Sequence, residues 1–426
     1  MTHLGNRYLD FDRTSESQPL PIRDDARRLK ICFIQEPLHA GVGRHTVDVA
    51  RDLAARGHDV HVIYSPVRLD KNFLSELGSH PRIHCHAIEM QPGLCLGDVR
   101  AFWRVKDYVR KNGPFDIIHG ESSKGGGFAR LLKLFGAKNV LYSPHAFVTL
   151  SPVLPLAKRR IFTAIEWLLS HLSDAIVCTS QSEREHALSL GIAKQKLTVV
   201  VNGRAQGPRQ DRANIRSNLG LSDETVVIGF VGRLEAQKAP QRLVDACLKL
   251  MPKLPHLHLL VVGEGSQRPK LEALLRNAGL EDRVTWLGEV DAVQHMPAMD
   301  VLAVPSMYEG FAYVLIEALQ AGLPLVATPV GGVVESIVPG KNGIIIPHYP
   351  AEPFMVALRQ LAADAELRQK MAQAASERAS YFSVTRMVDN LESLYYRVCD
   401  TIVERTPRPL TSTSNSWLYF KARTGL

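Results

Sequence analysis

Short apolar runs, each closed by a glycine- or proline-marked turn and followed by residues at helical spacing, recur along most of this chain. Runs of that length read as buried strands, and strand–turn–helix alternation leads to parallel sheets with helices on both faces. The first series opens with Leu29–Glu36, a turn at Gly41-Val-Gly43, a helix over Arg44–Arg56 and a strand at Val60–Tyr64. Strands at Arg82–Ile88, Asp116–Gly120, Val140–Ser143 and Ala175–Thr179 continue it, with helices near Asp98–Lys111, Gly127–Phe135, Leu156–Leu172 and Ser182–Leu190. Val199-Val-Val-Asn-Gly203 closes this series. The polar stretch from there to about Leu221 has no apolar periodicity and reads as a linker. A second series then begins, with strands at Val226–Val231, His258–Val262, Arg283–Leu287, Val301–Val304, Pro324–Thr328 and Gly343–Ile346. Helices over Glu352–Tyr381 and Thr385–Glu404 finish the chain. The expected fold is α/β, with two doubly wound domains facing a central cleft: residues 28–206 and 207–384, between a tail at 1–27 and one at 406–426.

Composition narrows the class. At 426 residues with 45% apolar and 22% charged side chains, the chain is long enough for two ordinary cores. No apolar run reaches the ~18 residues of a membrane span, and the N-terminus has no signal-peptide layout. Six cysteines without metal-type spacing read as reduced core residues, which points to the cytoplasm. Residues 1–210 hold 29 Lys+Arg against 20 Asp+Glu, whereas 211–426 hold 22 against 23. A basic half beside a neutral one implies an anionic partner. With no nucleic-acid motif present, that partner is expected to be an anionic acceptor or a membrane surface. The helix over Leu156–Leu172 fits the second: Lys158-Arg-Arg160 precedes Ile161, Phe162, Ile165, Leu168 and Leu169, with Trp167 among them. The same spacing also fits a helix packed wholly in the core.

The densest chemistry lies in Pro305-Ser-Met-Tyr-Glu-Gly-Phe-Ala-Tyr-Val-Leu-Ile-Glu317. A buried strand stops at Pro305, Gly310 hinges a polar turn, and a helix follows. Glu309 falls in the turn and Glu317 eight residues later, about two turns along. Between them, the first amides of the helix, near Phe311 to Val314, lack intrahelical partners and carry the positive dipole end. Free amides beside carboxylates suit a ligand with phosphates at one end and hydroxyls at the other, such as a nucleotide-sugar. Two solvated glutamates on an ordinary turn would give the same letters. Arg233 and Lys238, on one turn at another strand end, would complete a cradle for a diphosphate. Either alone reads equally well as a surface charge. His145, in Ser143-Pro-His145, sits at a strand end, where α/β folds place ligands. The only Asp-x-Asp, Asp10-Phe-Asp12, lies in the tail and reads as chance.

These pieces, in this order, resemble the retaining GT-B glycosyltransferases marked by an E-x7-E motif. The likeness runs from about Lys30 to Arg405. It is carried by Ala40-Gly-Val-Gly-Arg-His45, Arg56-Gly-His-Asp-Val60, Ser143-Pro-His145, Val201-Asn-Gly203, Gly232-Arg-Leu-x3-Lys238, Val262-Gly-Glu-Gly265, the Glu309/Glu317 stretch, Gly331-Gly-x2-Glu335 and Asn342-Gly343. The resemblance implies two Rossmann-like domains, the first for the acceptor and the second for the nucleotide-sugar donor, with the helix 385–405 crossing back to the first. It implies that Glu309 holds the sugar hydroxyls, Glu317 the ribose, and Arg233 and Lys238 the diphosphate. Gly41 and Gly43 would face the diphosphate, His145 the transferred sugar, and Glu264, Gly310, Phe311 and Ala312 the rest of the donor. It further implies no cofactor, no bound metal, retention of anomeric configuration, and a saccharide or lipid-linked acceptor in bacterial exopolysaccharide or surface polysaccharide assembly, at the inner face of the cytoplasmic membrane. Ala40 and Ala312 stand where the family has glycine, and Arg204-Ala-Gln departs from its usual apolar residue and aspartate. A nucleotide-sugar epimerase and a binding-only relative share the fold; retention of Arg233, Lys238, Glu309 and Glu317 argues against the latter.

Overall fold

Among the described residues every strand pairing is parallel, and the strands sort into two sheets. The structure is a computed structural model that describes residues 27–207, 211–348 and 352–405; Asp10-Phe-Asp12 and the stretch from Thr406 lie outside them. The first sheet holds β1 (Lys30–Gln35), β2 (Asp59–Tyr64), β3 (Ile83–Ala87), β4 (Ile117–Glu121), β5 (Val140–Ser143), β6 (Ala175–Cys178) and β7 (Leu197–Val199), in the order β3-β2-β1-β4-β5-β6-β7. The second holds β8 (Val226–Val231), β9 (Leu257–Val262), β10 (Val284–Gly288), β11 (Val301–Val304), β12 (Leu325–Ala327) and β13 (Gly343–Ile345), in the order β10-β9-β8-β11-β12-β13. The central strands are almost wholly buried because helices cover both faces, which explains their apolar runs, whereas the edge strands β3 and β10 are partly exposed. Strand order reverses between β1 and β4 and again between β8 and β11. At such a reversal the connecting helices leave on opposite faces, opening a crevice at the carboxyl ends of the strands.

The last helix, Val384–Arg405, packs in the first domain. Its Met387, Val388, Leu391 and Tyr395 share a core with Val47 and Leu53 of the helix Ala40–Ala55. A polar clasp fixes it there. Arg56 Nη1 lies 2.6 Å from Asp389 Oδ1 and 2.8 Å from Glu392 Oε2, while Nε donates to Asp52. His58 Nδ1 accepts from the Leu29 amide at 3.0 Å, so its Nε2–H donates to Glu392 at 2.7 Å. Arg56 and His58 of the stretch Arg56-Gly-His-Asp thus close the fold by holding the last helix.

Several boundaries differ from the sequence reading, for identifiable reasons. The helix expected from Arg44 starts at Ala40, so Gly41 and Gly43 lie in its first turn and not in a loop. The helix expected from Gly127 starts at Ser122, because Gly125 and Gly126 are packing glycines: a Cβ on them would fall 2.0 Å from Ile34 O and 2.1 Å from the Tyr142 ring. The linker contains a helix, Arg212–Asn218, capped by Asp211. It is anchored by buried Arg216, which donates to Ala298 O and Thr225 O, polar tethers that leave no apolar period. Asp364 caps the Leu367 amide and splits the expected helix Glu352–Tyr381 into Glu352–Ala363 and Ala365–Ala379. A further helix, Lys71–Gly78, is capped by Asp70 and was not anticipated.

Replacing Arg56 by Ala should leave three carboxylates facing one another and lower unfolding free energy by about 1–3 kcal/mol. Urea unfolding should show a lower midpoint at unchanged slope; an unmoved midpoint would mean the apolar seam alone holds the helix.

Candidate active site

At the reversal in the second sheet, β8 ends in Gly232 (φ 148), against which the Lys238 stem packs. Lys238 folds back so that Nζ lies 2.7 Å from Glu309 Oε1, on the turn after β11. Arg233 is exposed, and its Nη2 donates to Gln237 Oε1 at 2.9 Å. Gln237 Nε2 in turn reaches Tyr308 O at 3.2 Å and Glu309 Oε2 at 3.4 Å. Arg233, Lys238 and Glu309 therefore converge as expected, tied by Gln237. The sequence reading passed over Gln237 because an uncharged residue on a charged turn carries no signal of its own.

The helix Tyr313–Gln320 begins beside this cluster. Ala312 is its N-cap and gives no side-chain cap, leaving the Tyr313 and Val314 amides without intrahelical acceptors. One expected donor is otherwise engaged, the Ala312 amide contacting Gly331 O at 3.4 Å, and the Phe311 ring is buried over Gly332 and beside Phe382. Glu317 is one turn into the helix, not two, because the helix starts at Tyr313. It forms an ion pair with Arg204 of the segment crossing between the domains. Burial raises the Glu317 carboxyl pKa, and Arg204 opposes the shift. Arg204, noted in the sequence only as a departure, is thus a partner of the predicted ribose ligand. Glu264 stands apart, exposed on the turn after β9 and paired with Arg268.

The first sheet presents its own reversal opposite. Glu121 ends β4 and is fully buried; His145 follows β5, with its Nε2 2.5 Å from Glu121 Oε2. His145 and Ala146 both take left-handed backbone (φ 54 and 105). Glu183 fixes that turn, accepting from the Ala146 and Thr179 amides, each at 2.7 Å. His45 meets His145 edge-on at 4.7 Å between ring centres, and its Nδ1 lies 3.1 Å from Asn202 Oδ1 and 3.3 Å from the Tyr313 hydroxyl. Behind them His119 bridges Ser143 Oγ at 2.8 Å and the Tyr395 hydroxyl at 2.7 Å. Burial pushes the imidazoles of His45, His119 and His145 down to about 4, so all three are neutral near pH 7. The ligand atoms of His45, Glu121 and His145 also lie within 4.8 Å of one another, close enough to share a divalent ion. His119 and Glu121 share β4, but only the tertiary fold brings His145 and Glu183 to them, and no motif in the sequence announces His119, Glu121 or Glu183.

The expected glycines divide. Gly41 faces the second domain, 3.4 Å from the Tyr313 ring at an added Cβ, and lines the cleft. Gly43 is buried; a Cβ there would meet the Phe73 ring at 2.8 Å, and its amide donates to His39 O at 3.0 Å, so it serves packing. Gly310 closes the cleft floor. A Cβ on it would stand 2.5 Å from the Ala146 amide nitrogen, and its carbonyl accepts from Ser180 Oγ at 2.8 Å. Beside it, Glu335 accepts the Gln181 amide across the same boundary at 2.6 Å. The result is one wall with cations and free amides, and a facing wall with neutral imidazoles and a buried carboxylate.

Two parallel-sheet Rossmann-like domains facing one cleft, each offering the ends of its strands, make a GT-B fold. Comparison with known proteins agrees: Anabaena HepE in complex with UDP and glucose superposes with a TM-score of 0.75 at 21% identity, covering 87% of this chain and all of that one. Sucrose-phosphate synthase of Thermosynechococcus elongatus gives 0.74 at 21% identity, over 88% of this chain and 100% of the other. The sequence is 31% identical over 408 residues to the D-inositol 3-phosphate glycosyltransferase of Stackebrandtia nassauensis, covering 88% of this chain and 90% of the relative. The family description "Glycosyl transferases group 1" matches residues 211–378, and "Glycosyltransferase Family 4" matches residues 39–204. The chain belongs to the group 1 glycosyl transferases.

The buried histidines carry a pH signature. Each is deprotonated in the fold down to about pH 4 but protonates near 6.5 when unfolded. Unfolding therefore takes up protons in that window, and stability falls as pH falls, by up to about 1.4 kcal/mol per pH unit for each histidine. Urea titrations between pH 7.5 and 4.5 should show this decline; a flat profile would mean these groups are charged in the fold.

Proposed function

We propose that this protein transfers a sugar from a nucleoside diphosphate donor to an acceptor hydroxyl with retention of configuration, without a metal ion. The observation that carries the reading is the Arg233–Gln237–Glu309–Lys238 cluster lying against the free helix amides of Tyr313 and Val314, with His145 across a shared floor. Cations and amides suit the two phosphates, and a carboxylate suits the sugar hydroxyls next to them. In the reaction the acceptor oxygen bonds to the anomeric carbon as that carbon's bond to the phosphate oxygen breaks. The acceptor proton passes to the leaving phosphate on the same face. Positive charge from Arg233 and Lys238 stabilises the departing diphosphate, in place of the metal ion that other transferases use. UDP and glucose in the HepE complexes support a nucleotide-sugar donor here.

The acceptor is proposed to be a saccharide on a membrane lipid, in exopolysaccharide or surface polysaccharide assembly. What supports this is the helix Leu156–Ser170, which is turned inside out relative to a core helix. Its buried residues are Glu166 and Ser170, Glu166 being held by buried Arg130 at 2.7 Å. Leu156, Ile161 and Leu168 are 62%, 58% and 62% exposed, with Trp167 at 48%, and Lys158 and Arg160 flank them in solvent. The alternative of a helix packed wholly in the core is thereby overturned. Arg159 is not part of the basic cluster, because it turns back to Ser151 O at 2.8 Å. Among the described residues no helix is long and apolar enough to cross a membrane, so contact with the bilayer would be peripheral. A second reading, transfer to a soluble phosphorylated polyol, is favoured by the name of the Stackebrandtia relative.

Lys238→Ala should cost about 2–4 kcal/mol of transition-state stabilisation with the fold intact. Glu309→Gln should impair transfer while sparing nucleotide affinity, whereas Glu317→Gln should weaken the nucleoside diphosphate itself; equal losses by calorimetry would contradict this division. Chelator should leave turnover unchanged; loss restored by a divalent ion would instead put a metal in the His45–Glu121–His145 cluster. Anionic vesicles should sediment the protein at low salt, and Lys158→Ser with Arg160→Ser should reduce partitioning about 30-fold. Equal binding to neutral vesicles, with turnover on a soluble inositol phosphate, would favour the second reading.

A further inference from the structure

We infer that the outer edge of the first sheet carries a zinc site formed by Asp59, His61 and His84, separate from the cleft. The register of β2 and β3 builds it. His61 and His84 are direct partners on adjacent parallel strands, and Asp59 is two residues before His61, so all three project from the same face. His84 Nε2 lies 3.0 Å from Asp59 Oδ1, and His61 Nε2 lies 3.6 Å from Asp59 Oδ2. The ligand atoms of a tetrahedral zinc stand about 3.3 Å apart, between these two values. All three donor atoms fall within 4.8 Å of one another.

The second observation is His61 itself. It is 5% exposed, and its Nε2 is buried without a hydrogen-bond partner. A native fold seldom leaves such an atom unsatisfied, and here it is aimed at a carboxylate too distant for a hydrogen bond. The other ring nitrogen, Nδ1, contacts the Tyr108 hydroxyl at 2.8 Å, the outer contact that orients a metal-bound imidazole and selects its tautomer. Lys30, whose Nζ is 3.6 Å from Asp59 Oδ2, is the cation that the metal would displace. Two imidazoles with one carboxylate favour zinc or a similar transition ion over magnesium or calcium. His84 is half exposed, which gives the ion a path in and leaves its fourth position to water. The three residues lie toward the amino ends of β2 and β3, whereas Glu121 and His145 lie at the carboxyl ends of β4 and β5. The ion would therefore clip edge strand β3 to β2 and take no part in glycosyl transfer.

The test uses the full chain, stripped of metal by chelator and titrated with Zn2+ by calorimetry, alongside His84→Ala, Asp59→Asn and Tyr108→Phe. His84 is half exposed, so its loss should not compromise folding. Zinc should raise the melting temperature of the parent, and His84→Ala should lose that rise together with one bound ion per chain. Tyr108→Phe should keep the ion but bind it about 10–100-fold more weakly. Transfer activity of His84→Ala should equal that of the parent. Unchanged stoichiometry and affinity in His84→Ala would overturn the assignment, as would the absence of a zinc-induced rise in the parent. Zinc binding indifferent to Tyr108→Phe would mark an adventitious surface ion and would equally overturn it.

Discussion

The site exists only where two loops meet at the backbone. Gly310 of the second domain lies so close to His145 and Ala146 of the first that any side chain would collide with main chain, not with a movable group. Gly331 packs as tightly beneath it, where a Cβ would be 2.0 Å from Gly310 O. This contact sets the separation of the two walls, and with it the distance between the Lys238–Glu309 pair and the His145–Glu121 pair. The Ser180–Gly310 and Gln181–Glu335 hydrogen bonds lock its register. Glu183 holds the His145 turn in left-handed backbone, a conformation that a non-glycine residue keeps only when its surroundings enforce it.

Around that contact, charges that a ligand would engage are paired with one another. Lys238 sits on Glu309 and Arg204 on Glu317, so much of the cradle's charge is balanced, Arg233 being held by the uncharged Gln237, and its groups are already positioned. Binding a donor exchanges these pairs for phosphate and hydroxyl contacts, which limits the electrostatic gain and favours ligands that present both. Arg204 comes from the crossing segment, whose Gly203 abuts the Ser383 carbonyl where the chain returns to the first domain. One side chain thus couples the crossing point to the predicted ribose ligand.

Much of the fold was legible in the letters. The apolar runs located every strand but β7 to within a residue or two, because burial on both faces of the central strands requires hydrophobic sequence; β7, only Leu197–Val199, is too short to stand out as a run. Gly232, Arg233, Lys238, Glu309 and Glu317 were legible because they follow their strands directly, so local chain geometry alone brings them to the carboxyl ends. Helix starts were less legible where glycines served packing, as at Gly43, Gly125 and Gly126. A glycine that lets a ring or carbonyl approach has the same letter as one that makes a turn. The spacing of the Leu156–Ser170 helix fits both a core and a surface position, and the structure decides for the surface: the Arg130–Glu166 pair is buried while Leu156, Ile161 and Leu168 face solvent.

What the sequence by itself determined is the pair of doubly wound sheets, the cationic turn after β8 and the carboxylates after β11, since each depends on residues within a few positions of one strand. What only the tertiary structure decided is the opposite wall and the closure. Glu121, His119, His145, His45 and Glu183 come from four separate segments, His119 and Glu121 sharing β4, and Asp59, His61 and His84 meet through strand pairing. Register, burial and backbone contact between distant segments create those neighbourhoods, and a one-dimensional pattern carries no record of which segments will become neighbours.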